Sequence, residues 1–89
     1  MKDDIKISVC MITYNHESNI RQALDSILMQ RGNISYEIII GDDASKDHTP
    51  TILKEYESNY PEIFTLFLRD ENIGVTKNFY DILCHYFYY

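Results

Sequence analysis

Residues Ile38 to Thr49 read IIIGDDASKDHT. Three consecutive isoleucines suit a strand covered on both faces of a sheet, where β-branched side chains pack well. The run then breaks into Gly41, the acid pair Asp42 and Asp43, and a cluster of turn formers. Adjacent side chains at a strand end point to opposite sides, so the two acids are expected to divide their work. One faces inward and anchors the loop; the other faces the rim and accepts a hydrogen bond from a ligand N–H. Left alone, two neighbouring carboxylates repel, and one pKa rises unless donors or a cation offset it. Gly41 leaves room for another group to approach the backbone. Ser45, Asp47 and Thr49 suit turns and caps, and the plain alternative is a loop carrying two solvated acids.

On either side of this stretch the chain alternates. Ile5 to Tyr14 is an apolar, β-rich run. From Ser18 onward Ile20, Ala23, Leu24, Ile27 and Leu28 recur at helical spacing, with Arg21, Gln22, Asp25 and Gln30 opposite, until Gly32 and Asn33 stop the helix. A second strand spans Tyr36 to Ile40. Thr49 and Pro50 open a second helix, with Thr49 as its cap, Ile52, Leu53 and Tyr56 as its apolar stripe and Pro61 as its end. Ile63 to Leu68 forms a third strand. A third helix opens near Val75 or Thr76 and is expected to bury Phe79, Ile82, Leu83 and Tyr86. The order β-α-β-α-β-α implies a three-layer, Rossmann-like fold with a parallel sheet. In such sheets ligands collect at the carboxyl ends of the strands, which places Thr13–Glu17, Asp42–Thr49 and Arg69–Lys77 on one rim.

With 89 residues and 45% hydrophobic content, the chain is sized for a single domain, residues 1–89. Fourteen acidic against eight basic residues give a formal charge of −6, which argues against a nucleic-acid partner. Cys10 and Cys84 fit no metal or redox spacing and read as buried free thiols in a reducing compartment. No stretch has the ~20 apolar residues of a membrane span, and MKDDIKIS does not resemble a signal peptide. The expected location is therefore the cytoplasm.

Two other stretches on the rim carry polar chemistry. In ITYNHE, Ile12 to Glu17, a tyrosine ring can face a planar base while Thr13 and Asn15 hydrogen-bond a ligand; an ordinary strand-to-helix turn explains the same residues. In RDENIGVTKN, Arg69 to Asn78, Gly74 suits a positive φ, and Lys77 near a helix start could meet a phosphate. His16, His48 and His85 are isolated and make no metal site. The tail HYFYY is either a buried helix end or an exposed apolar patch.

Together these residues resemble the N-terminal part of family 2 glycosyltransferases of the GT-A type. SVCMITYN (Ser8–Asn15), DSILMQ (Asp25–Gln30), EIIIGDDASKDHT (Glu37–Thr49) and NIGVTKN (Asn72–Asn78) match the family's elements in order and spacing. The resemblance implies the N-terminal half of a GT-A domain with a site for a nucleotide sugar, most often a UDP-sugar. It carries Thr13 and Tyr14 to the base pocket and Asp43 to the uracil N3–H, with Asp42 and Asp47 as supporting loop contacts and Asn15 among the binding residues. Glu17 would lie near the ribose, and Lys77 where the family often has Arg. The parent enzyme would transfer a sugar, with inversion, to a polysaccharide, lipid-linked or other glycan, at times while peripherally bound to the membrane.

The family's DxD motif, which holds Mg or Mn at the diphosphate, and its later general base have no counterpart in these 89 residues. The resemblance therefore implies a truncated domain with no catalytic residues and no metal site, inactive alone and able to self-associate through an open sheet edge. Two alternatives remain. One is a non-catalytic nucleotide-binding or interaction module. The other is a receiver-like domain, disfavoured because its acid pair should follow the first strand.

Overall fold

The structure is a computed structural model that describes residues 5–29 and 34–87. Its elements are β1 (Ile5–Thr13), α1 (Ile20–Leu28), β2 (Ile34–Asp42), α2 (Thr49–Asn59), β3 (Phe64–Leu68) and α3 (Val75–Phe87). The strands form one parallel sheet in the order β1-β2-β3. This is the expected α/β arrangement. In register, Thr13 lies opposite Asp42 and Asp42 opposite Leu68, so all three strands end at the same rim.

The isoleucine triplet explains the layering. Ile38, Ile39 and Ile40 are all fully buried, which alternating strand residues achieve only when both faces are covered. Ile38 and Ile40 pack with Ile20 and Leu24 of α1, Ile52, Leu53 and Tyr56 of α2, and Phe64 of β3. The Tyr56 hydroxyl donates to Asp25 Oδ1 at 2.7 Å, tying α2 to α1 beneath the core. Burial and the Asp25 carboxylate both hold that phenol above its ordinary pKa. On the other face, Gly41 lies under α3. A Cβ there would collide with the Asn78 side chain and stand 2.8 Å from Ile82 Cδ1.

Several boundaries and orientations depart from expectation. β2 runs from Ile34 to Asp42 rather than Tyr36 to Ile40, because all nine of its residues pair with β1. β1 ends at Thr13, leaving Tyr14 in the loop, and β3 begins at Phe64 rather than Ile63. Thr49 is the first residue of α2, not its cap. The N-cap position is His48, which makes no side-chain cap hydrogen bond, while Asp47 Oδ1 accepts from the Thr49 N–H at 2.9 Å and from its hydroxyl at 2.6 Å. Phe79 is 41% exposed, not buried. Gly41 draws Asn78 and Ile82 onto the sheet, and the ~100° step per helical residue turns Phe79 to the flank. Ile82 is buried as expected, and Leu83 is half-buried.

The expected helix stop at Gly32 and Asn33, Gln30, the burial of Tyr86 and the end of the aromatic tail lie outside the described residues. Cys10 and Cys84 are free and half-buried, so thiols fully enclosed in the core are not found. Burial, assisted by the charge of Glu37, raises the Cys10 pKa. Among the described residues no helix is long and apolar enough to cross a membrane.

Candidate functional site

At the end of β2 the two acids do divide. Asp42, 1% exposed, points toward the α1/α2 side. Its Oδ1 accepts the hydroxyls of Thr13 and Ser45, each at 2.6 Å, and its Oδ2 accepts the Ser45 N–H at 3.0 Å. Asp42 therefore ties the ends of β1 and β2 to the turn that follows. Ala44 takes φ +59 to make that turn, an uncommon conformation for a residue with a Cβ. Asp43, 8% exposed, turns the other way. Its carboxylate accepts the N–H of Ile73 at 2.6 Å and of Gly74 at 3.0 Å, and its carbonyl accepts from the Asn72 side chain. Gly74, at φ +90, directs its N–H to Asp43 while its carbonyl accepts from Asn78 N–H in the first turn of α3. A carboxylate beside a helix N-terminus is favourably placed against the helix dipole.

The loops after β1 and β2 are laced together residue by residue. Asn15, at φ +55, donates its N–H to Ser45 Oγ (2.8 Å) and accepts the Lys46 N–H on its side chain (2.9 Å). His16 N–H donates to Thr49 Oγ1 at 3.0 Å, and Glu17 N–H to Asp47 Oδ2 at 3.1 Å. In return Glu17 Oε1 accepts the His48 N–H at 3.0 Å, with the His48 ring 3.3 Å from Oε2. The backbone N–H and ring of His48 hold the Glu17 carboxyl below its ordinary pKa. For Asp47, desolvation would raise the pKa, but bonds from Thr49 and from the Glu17 N–H outweigh it and lower the value.

Behind Asp43 stands a residue whose role the sequence did not reveal. Asn78 is 1% exposed and donates from Nδ2 to the Gly41 carbonyl at 2.8 Å. Its Oδ1 accepts from the Arg69 guanidinium at 3.1 and 3.2 Å. Arg69 also bonds Asp81 at 2.6 Å and lies 5.3 Å from the centre of the Phe67 ring. The available signal was Gly41, a glycine in an apolar strand that marks close approach of another group.

A cavity of about 140 Å³ opens among Thr13, Tyr14, His16, Asp43, Val75 and Asn78, with Ile12 as an apolar wall. A second, of about 100 Å³, lies between the end of β1 and α1 and shares Ile12, Thr13 and His16. Of the residues singled out from sequence, Thr13, Tyr14 and Asp43 thus line one cavity. Asn15 and Glu17 join the loops, Asp42 lies buried beneath them, and Lys77 is exposed on α3 outside the cavity lining.

The profile of glycosyl transferase family 2 matches residues 8–83, which takes in all three rim loops. The chain belongs to glycosyl transferase family 2. Among curated relatives, an uncharacterised protein of Mycobacterium tuberculosis (strain ATCC 25618 / H37Rv) is 49% identical over 86% of the chain and 22% of its own length. The dTDP-rhamnosyl transferase RfbG of Shigella flexneri is 36% identical over 82% of the chain and 25% of its own length. In three dimensions the chain resembles the mannosyltransferase PcManGT from Pyrobaculum calidifontis, solved with GDP-Man and Mn2+. The TM-score is 0.75 at 26% identity, covering 93% of this chain and 25% of that one. The chain thus spans about a quarter of the length of the glycosyltransferases it matches.

The side chains of the described residues do not fit the divalent ion bound by that structural neighbour. Among the described residues no three His, Cys, Asp or Glu side chains converge as a cation requires. The Asp42 carboxylate accepts three protein donors and that of Asp43 two. No chemical step is therefore assigned to a metal here.

Proposed function

We propose that this chain is the nucleotide-recognition part of an inverting glycosyltransferase that takes a UDP-sugar or a related nucleotide sugar as donor. The acceptor is a polysaccharide, lipid-linked or other glycan, as in cell-surface polysaccharide synthesis. The supporting observation is the convergence of Thr13, Tyr14 and Asp43 on one cavity at the carboxyl ends of the strands. In this reading the Tyr14 ring, 42% exposed, covers one face of the base and Asp43 accepts its ring N–H. Asn15, Glu17 and Asp42 act on the ligand indirectly, by fixing the loops that carry the contacts.

Titration with UDP tests this directly. The wild type is expected to bind UDP equally well with and without Mn2+. Asp43→Asn keeps one acceptor and the side-chain volume, and should weaken binding about tenfold or more by losing a charged hydrogen bond. Equal affinity in the variant removes Asp43 from the base contact. The second reading is a non-catalytic nucleotide-binding or interaction module, which turnover of a UDP-sugar by this chain would contradict.

We also propose that the outer edge of β1, which among the described residues pairs only with β2, joins a second copy. Light scattering should then show concentration-dependent association; a strict monomer throughout would refute it.

A further inference from the structure

We infer that His16 is a second base-reading residue, selecting a ring that carries a carbonyl beside an N–H; this rests on the nucleotide reading above. The imidazole Nδ1 accepts the Tyr14 N–H at 2.9 Å. A nitrogen that accepts carries no proton, so the neutral ring holds its proton on Nε2. The backbone around that ring is fixed. His16 N–H donates to Thr49 Oγ1 at 3.0 Å, and its carbonyl accepts the N–H groups of Asn19 and Ile20 at 3.0 and 2.8 Å. The result is a preorganised N–H donor on a held loop, needing little reordering when a ligand arrives.

His16 lines both rim cavities and shares the larger with Asp43. A carboxylate offers about four lone-pair sites, and protein donors occupy two at Asp43. A donor and an acceptor in one cavity complement a C=O next to an N–H. Uracil and thymine present that edge on a single ring, and guanine presents it on a fused pair. Cytosine and adenine have an unprotonated ring nitrogen there.

The test uses the whole chain, with UDP, CDP and GDP as probes. His16→Asn is the informative variant: its Oδ1 falls near the position of Nδ1 and can keep the Tyr14 bond, while the Nε2 donor is lost. The imidazole nitrogen spectrum of the wild type should show the Nε2–H form. The wild type should prefer UDP, and GDP with the same edge, to CDP. In His16→Asn, UDP affinity should fall about three- to tenfold, the scale of one neutral hydrogen bond, with CDP affinity unchanged. An unchanged UDP-to-CDP ratio overturns the inference and leaves the nucleotide reading intact. So does an equal loss of both affinities with a displaced Tyr14 amide, which makes His16 purely structural. A wild type that binds no nucleotide instead refutes the proposed function itself.

Discussion

Asp42 and Asp43 are chemically identical neighbours that the strand's alternation sends to opposite sides of the sheet. Asp42 is closed in by hydroxyls and an amide, whereas Asp43 takes two backbone amides at the wall of a cavity. Gly41 just before them makes the second arrangement possible, because α3 sits against it through Asn78 and Ile82. Gly41→Ala should therefore push α3 outward. The expected loss is about 1–3 kcal/mol, the usual cost of overpacking, together with a weakened Asp43 contact to Ile73 and Gly74. Denaturant unfolding measures the first and the amide shifts of Ile73 and Gly74 the second. A variant of unchanged stability would mean that α3 is not held at Gly41.

The rim is built from three loops, and most of its polar groups bind one another. Glu17 and Asp47 are the acids in this lacing, and both have pKa values below the ordinary carboxylate range. A carboxyl with a depressed folded pKa stabilises the fold above its unfolded pKa and loses that contribution as pH falls through the folded value. The contacts between the first and second loops should thus persist at neutral pH and fail only as pH falls below the ordinary Asp and Glu values of about 4. The amide signals of Glu17 and His48, followed through an acid titration, report this. Signals that shift together with a midpoint above pH 5 would contradict it. The order of the six elements was legible because apolar runs and helical stripes alternate cleanly from Ile5 to Ile82. The lacing was not. Asn15, Glu17 and Asp47 find partners about thirty residues away in sequence, and residue type alone does not separate a loop partner from a ligand. Asn78 was hidden for a similar reason, since an amide beside Lys77 reads as part of a helix's polar face.

At the scale of the molecule, register aligns the ends of the three strands, and the loops that follow them close on one another before any ligand arrives. The family assignment rests on residues 8–83, and those residues include the whole of this rim. A net charge of −6 means that an anionic nucleotide gains little from the overall field. Recognition must come from placed groups: a ring face, an acceptor and fixed N–H donors. The most direct test is a map of backbone amide shifts as the full chain is titrated with UDP. Saturable shifts are predicted for Tyr14, His16, Asp43 and Val75, with smaller ones through Asn15–Glu17 and Ser45–His48 and none on the far side of α2. Shifts confined to α2, or no shifts at millimolar UDP, would contradict a preformed nucleotide rim.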